Sequence, residues 1–230
     1  MSIVSTILTV LFWTFIFLLS WFIFVETVVR VIRRYVHFPI SAFAARFIDN
    51  PIRRRIQPPK KVVNWIGIQD GMCVLEIGPG PGTFTIEAAK HSGKKGKVFA
   101  VDIQTSLIAK LNSRLKKEKI LNVMAIIASA YHLPFTNNIF DRIFMITVLA
   151  EIPDRKKALL EIKRVLKDDG ILAIGELLLD PDYPRRKTVT KWCKNADFNL
   201  INKHGNILHY VLTFKKAVIE NTKHPLLKEK

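Results

Sequence analysis

Cysteine is scarce in this 230-residue chain, which has only Cys73 and Cys193. Two cysteines cannot form a disulfide framework, and these two do not fall at metal-ligand spacing. No metal site is therefore expected, and a reducing compartment is the natural setting. Acidic residues are also few, 19 Asp and Glu against 36 Lys and Arg, for a net charge of +17. The excess is uneven. Residues 30–61 carry nine bases against one acid and residues 185–230 eleven against three, while residues 62–184 are nearly balanced at sixteen against fourteen. A core built to grip nucleic acid carries the charge itself, so nucleic acid is not the expected partner. Hydrophobic residues make up 49% of the chain, enough for a real core, which excludes wholesale disorder.

Charge is missing altogether from Ile3 to Val25, IVSTILTVLFWTFIFLLSWFIFV. As a helix this stretch spans about 34 Å at about 1.5 Å per residue, enough to cross a hydrocarbon core of about 30 Å. It is apolar all round, without a polar face. A cleaved signal peptide would want a basic start, a shorter apolar run and a small-x-small cleavage site, and these are not evident. One membrane-spanning anchor is expected. Arg30, Arg33 and Arg34 follow it, then Arg46 and Arg53 to Arg55, so the positive-inside rule puts the rest of the chain in the cytoplasm. Val28 to Tyr35 mixes apolar and basic residues and suits either an interfacial helix on anionic headgroups or plain topology signalling. Pro39, Pro51, Pro58 and Pro59 should break any long helix in the connector. Arg53-Arg54-Arg55 reads as a solvated or headgroup-facing patch, with a contact to a substrate phosphate as the alternative. The expected division is an anchor over 1–29, a basic juxtamembrane connector over 30–61, one folded domain over 62–216 and a basic tail over 217–230.

The folded part alternates strand and helix patterns. Strands are expected at Cys73–Ile77, Lys97–Val101, Asn122–Ile127, Asp141–Ile146, Ile171–Ile174, Phe198–Asn202 and Leu208–Phe214. Helices are expected at Thr83–Lys90, Ser106–Lys117, Asp154–Leu166 with Asp154 as N-cap, and Thr188–Asn195. Gly170 should turn the chain into the fifth strand, and His204-Gly205-Asn206 should join the last two. Such alternation implies an α/β fold, a mostly parallel seven-stranded sheet of Rossmann-like type with helices on both faces. The final strand pair suggests an antiparallel edge hairpin.

In such sheets ligands bind beyond the carboxyl ends of the strands, at the switch point. Here that point carries Glu76-Ile77-Gly78-Pro79-Gly80-Pro81-Gly82-Thr83. A dinucleotide fingerprint would place its third glycine at position 83, which is Thr83, and no Gly-Lys-Ser/Thr phosphate loop is present. The acid two residues before the glycines suits a cationic ligand better than a pyrophosphate. Asp102 ends the second strand, where a carboxylate can accept ribose hydroxyls. Together the two acids describe a nucleoside that carries a positive group.

Several stretches carry a family resemblance. Val74–Gly82 resembles the first motif of class I S-adenosylmethionine-dependent methyltransferases of the ubiquinone/menaquinone-biosynthesis type, and Val98–Ile103 resembles the second. Ala128–Phe135 is similar to the family's adenine loop, Phe140–Asp141 with Ile146–Asp154 to the fourth-strand motif, and Arg164–Leu172 to the Leu-Lys-Pro-Gly-Gly turn. The resemblance runs from about Pro59 to Lys216 and rests on five motifs in order. It implies S-adenosylmethionine as cofactor. Glu76 with Gly78, Pro79, Gly80 and Gly82 would hold its methionine part, and Asp102 its ribose. Ile103, Ser129 and Ala130 would lie against the adenine, and Ile146, Thr147 and Val148 near the sulfonium. Ser129 stands where the family usually has Asp, a weaker neutral acceptor.

Methyl transfer from a sulfonium needs mainly alignment. A carbon or neutral oxygen acceptor would need a base, for which Glu151 and His132 are the candidates. The plain alternatives are a solvated loop acid and a surface histidine. Tyr131 suits either an acceptor pocket or core packing. An Asn/Asp-Pro-Pro-Tyr motif for amino-group methylation is absent after the fourth strand. The expected activity is a membrane-anchored methyltransferase acting on a lipid, a quinone precursor or another hydrophobic small molecule. The alternatives are an RNA methyltransferase and a silent cofactor-binding module tethered to the membrane.

Overall fold

A computed structural model of the chain describes residues 3–35 and 50–217. Pro39, Arg46 and the tail from residue 218 lie outside the described residues, as do the side chains of Arg30, Arg33 and Arg34. Helix α1 runs Ile3–Tyr35, so Val28 to Tyr35 continues the apolar helix rather than forming a separate one. Its first 27 residues, Ile3–Val29, are long and apolar enough to cross a membrane, and none of that stretch is buried against the rest of the chain.

Among the described residues between α1 and the first strand, prolines start two short helices. Pro51 opens α2 (Pro51–Ile56) and Pro59 opens α3 (Pro59–Ile66), at positions where a missing N–H costs nothing. Asn50 caps α2 by accepting from the Arg53 N–H at 2.9 Å. Gly67 ends α3 in the left-handed region, and Val62, Val63 and Ile66 of α3 are buried.

The remaining elements are β1 (Cys73–Ile77), α4 (Thr83–Ser92), β2 (Lys97–Asp102), α5 (Thr105–Lys117), β3 (Val123–Ile127) and β4 (Phe140–Ile146). A 3-10 turn (Leu149–Glu151) leads to α6 (Arg155–Val165), β5 (Leu166–Leu177), α7 (Arg186–Lys194), β6 (Phe198–Gly205) and β7 (His209–Lys216). The sheet order is β3-β2-β1-β4-β5-β7-β6, with β7 antiparallel to both β5 and β6 and the other pairs parallel. This is the seven-stranded α/β sheet with an antiparallel edge pair that the alternation implied. Asp154 caps α6 as expected, its Oδ1 accepting from the Lys157 N–H at 2.9 Å.

Most element ends shift by one to three residues from expectation, and two of the differences have a clear cause. β5 starts at Leu166 rather than Ile171: Phe140 pairs with Leu166 but Arg142 with Ile171, so residues 167–170 bulge out within the strand. The β6–β7 connection is two residues later, at residues 206–208, because Gly205 still pairs with Tyr210.

Side chains alternate across the sheet. One face of β4 presents Phe140, Ile143 and Met145 to Leu159 and Ile162 of α6 and Val189 of α7. The other presents Phe144 and Ile146 to Val62 and Ile66 of α3 and Phe84 and Ala88 of α4. The chain moves outward from β1 to β3, then returns to place β4 beside β1. A crevice therefore opens between the carboxyl ends of β1 and β4.

Candidate functional site

The crevice is a cavity of about 420 Å³, within the usual range for small-molecule sites of roughly 300–1,000 Å³. Its floor is the loop after β1. Gly78, Gly80 and Gly82 all have positive φ, at 71°, 53° and 87°. The Gly78 N–H donates to the Val101 carbonyl at 2.8 Å, and Arg114 Nη1 donates to the Pro81 carbonyl at 3.0 Å, so the loop is pinned at both ends. A Cβ on Gly78 would stand 2.4 Å from Cγ2 of Val148, and one on Gly82 would stand 2.4 Å from Cδ1 of Leu111. A Cβ on Gly80 would meet nothing within 4 Å. Gly78 and Gly82 thus answer to packing, whereas Gly80 leaves room for a ligand to approach the backbone.

Glu76 does not line the cavity. It is buried beneath the loop and accepts from the Thr85 hydroxyl at 2.5 Å. Burial pushes its carboxyl up to about 8; the Thr85 bond opposes this and nearby Asp102 adds to it. Gly82 likewise sits behind the cavity wall. Asp102 does line it. Its Oδ1 accepts from the Gln104 N–H at 2.9 Å. Burial raises its carboxyl, against backbone N–H donors of Gln104, Ile103 and Gly80 that lower it. The Gly80 contact ties the acid to the loop.

The expected neighbours come together here. Pro79, Ile103, Ser129, Ala130, Ile146, Thr147 and Val148 all line the cavity. Ser129 Oγ accepts from the Tyr131 N–H at 3.2 Å, which shapes its turn. Thr147 holds φ at 57°, a strained value for a β-branched residue, at the end of β4. Its N–H donates to the Gly175 carbonyl at 2.8 Å, which locks it against β5.

Of the two proposed bases, only Glu151 faces the cavity. His132 is exposed outside it, in a turn closed by its N–H donating to the Ser129 carbonyl at 3.0 Å. Tyr131 lines the cavity rather than the core, and its Oη accepts from the Asp154 N–H at 3.0 Å.

Further lining residues lie outside the family motifs, two of them in the Arg53-Arg54-Arg55 patch, which thus faces the cavity in part. Arg53, Arg54 and Gln57 reach the cavity from α2 and its end. Arg53 Nη2 donates to Thr147 Oγ1 at 2.9 Å, joining α2 to the end of β4. Gln57 is 1% exposed, and neither its Oε1 nor its Nε2 has a hydrogen-bond partner. Thr83, at the start of α4, also lines the cavity with a buried hydroxyl that finds no partner. Behind Glu151, Glu176 is buried with an unpartnered Oε1. Burial, with Asp180, Glu151 and Asp182 nearby, holds its carboxyl well above the usual range.

These features fit a nucleoside with a polar, charged tail. An acid stands at the end of β2, backbone approach is open at Gly80, and an unpartnered hydroxyl waits at the start of α4. No group of three or more potential metal ligands occurs among the described residues.

Known proteins agree with this geometry. A family profile described as "Methyltransferase domain" matches residues 68–223. A ubiquinone/menaquinone biosynthesis C-methyltransferase UbiE from Psychromonas ingrahamii is 33% identical over 147 residues, covering 64% of this chain and 57% of that protein. The homologous enzyme of a Marinomonas species is 29% identical over 150 residues, covering 65% and 58%. The match thus spans a little over half the length of these curated relatives. Among solved structures, a SAM-dependent methyltransferase from Aquifex aeolicus aligns with a TM-score of 0.73 at 24% identity, covering 78% of this chain and all of that one. The [4+2]-cyclase SpnF aligns at a TM-score of 0.60 and 16% identity, covering 70% and 82%. At these identities the structural matches establish the fold.

Proposed function

This chain belongs to the methyltransferase-domain family, whose methyl donor is S-adenosylmethionine, and we propose that its acceptor is a hydrophobic small molecule met at a membrane, a lipid or a quinone precursor. The observation that carries this reading is the position of α2. It is the first described element after the apolar helix, and it lines the cavity through Arg53 and Arg54. With α1 as anchor, the acceptor end of the site is held within a short tether of the bilayer, which raises the effective concentration of anything dissolved there. Phe84, Leu107, Ile146, Val148 and Ile152 give the cavity apolar walls suited to such a molecule. The C-methyltransferase names of the curated relatives point the same way.

The cofactor supplies a methyl group on a positively charged sulfur. The chain's residues bind and align. Asp102 takes the ribose hydroxyls, and the loop from Gly78 to Gly82 with the Thr83 hydroxyl holds the amino-acid tail. Ile103, Ser129 and Ala130 flank the base. Thr147 and Val148 position the reacting end, where close alignment provides most of the acceleration. A carbon acceptor must also give up a proton, and Glu151 is the cavity carboxylate that receives it. Gln57 donates and accepts at once, matching an acceptor with neighbouring oxygens.

The test is to incubate membranes containing the protein with methyl-labelled S-adenosylmethionine and partition the products. Label in the organic phase is expected. Label confined to RNA would overturn the acceptor class. A melting temperature raised by the cofactor with no label passed to any product would favour the silent cofactor-binding module instead.

A further inference from the structure

The sheet edge that holds the cavity also carries apolar side chains displayed to solvent. Leu179 is 57% exposed, Ile207 75% and Leu208 45%, and Ile52 of α2 is 70% exposed. The first three are neighbours, since the Leu178 N–H donates to the Leu208 carbonyl at 2.7 Å. They follow β5 and precede β7, so they stand at the same end of the sheet as Gly78 and Thr147. Ile52 lies in α2, whose Arg53 is bonded to Thr147 at the same end of the sheet.

The 206–208 turn is firmly built. Asn206 Oδ1 accepts from the N–H groups of Leu208 at 2.9 Å and His209 at 3.2 Å. The Tyr183 hydroxyl donates to the Ile207 carbonyl at 3.1 Å, and Arg186 Nη2 donates to the Asn206 carbonyl at 2.7 Å. Backbone and polar groups are satisfied, and Ile207 and Leu208 are left pointing into water. A braced turn that exposes adjacent large apolar residues marks a contact surface rather than a loop that failed to pack.

The surrounding charge identifies the partner. Arg185 and Lys187 are exposed on either side of Arg186, which holds the 206–208 turn, and Arg55 is exposed on α2. The acids of the neighbouring loop are withdrawn: Asp180 is buried and accepts from the Asp182 N–H at 3.3 Å, and Asp182 is half-buried beside Arg155. Apolar tips ringed by bases, with the acids turned in, suit the boundary between headgroups and acyl chains of an anionic bilayer. Residues 36–50 separate α1 from α2 and reach at most about 50 Å, so an inserted α1 would keep this edge near such a surface.

We infer that this edge docks on the bilayer, with Leu179, Ile207 and Leu208 dipping below the headgroups and the cavity mouth facing the lipid. The inference rests on the reading of α1 as an anchor, and the test separates the two. The full chain is reconstituted into vesicles of phosphatidylcholine and phosphatidylglycerol with a nitroxide on Ile207→Cys. A second sample carries it on Leu121→Cys, which precedes β3 at the opposite end of the sheet and is 94% exposed in the parent chain. The protein without added cysteine measures background labelling of Cys73. Expected is a probe at 207 several-fold more accessible to oxygen than to a nickel chelate, with the reverse at 121. In Leu208→Asp the probe at 207 should become water-accessible while the protein still floats with the vesicles. Flotation that resists carbonate, with equal nickel access at 207 and 121, would overturn docking and keep the anchor. Immersion at 207 in protein that carbonate strips off would keep docking and overturn the anchor. Absence of flotation would overturn both.

Discussion

At one end of the cavity, Gly78, Gly80 and Asp102 come from two adjacent parallel strands and the turn between β1 and α4. At the other, Gln57, Tyr131, Thr147 and Glu151 come from three separate segments, joined by contacts such as Arg53 to Thr147 and Tyr131 to Asp154. The first end is a local motif, pinned by its own backbone. The second is assembled by the fold and keeps buried polar groups without partners. Each end should therefore fail differently when altered.

The largest effect is expected from Gly78→Ala. Its positive φ costs about 1–2 kcal/mol for an alanine, and the clash with Val148 adds about 1–3 kcal/mol of overpacking. Gly80→Ala should cost only the first part, since its Cβ meets open space. Urea denaturation of both variants checks this. Equal losses would mean that the loop does not pack as described.

Glu76 sharpens the same end through pH. Its folded carboxyl titrates at about 8 against an ordinary 4.5, so its contribution to stability is full below 4.5 and is lost as pH rises through 8. Asp102 and Glu176 are shifted in the same direction. The empty protein should therefore melt at progressively lower temperature as pH rises from 5 to 8.5. Glu76→Gln should flatten that decline by a few kcal/mol, read by thermal melts across the range.

Asp102→Ala should weaken cofactor binding roughly a hundredfold, from the loss of charged hydrogen bonds worth about 1.5–3 kcal/mol each. Calorimetry with S-adenosylhomocysteine measures it, and unchanged affinity would remove Asp102 from the binding role.

The smallest effect is expected at the assembled end. Gln57→Leu removes two unpartnered buried atoms, so the fold should gain about 1 kcal/mol, with cofactor affinity unchanged and methyl transfer reduced. A fall in cofactor affinity would move Gln57 to the cofactor's end of the cavity and dissolve the contrast.

The local end was legible in the residue order because its chemistry is local. A strand that ends in alternating glycines needs positive φ angles within a few positions, and an acid closing the next parallel strand lands beside them in any such sheet. The helix and strand alternation likewise specified the sheet, although not the bulge at residues 167–170, which depends on how β5 meets β4. Short-range patterns could not report Gln57, which looks like a linker residue. Nor could they exclude His132, which differs from Glu151 only in where its turn points.

Sequence alone determined the apolar helix, the order of strands and the acid-flanked glycine loop, because each follows from periodicity or from backbone demands between near neighbours. Tertiary structure alone decided which acid lines the cavity and which lies under it. It also brought α2 to the cavity wall and left Ile207 and Leu208 in solvent, because those outcomes depend on contacts between residues far apart in the chain.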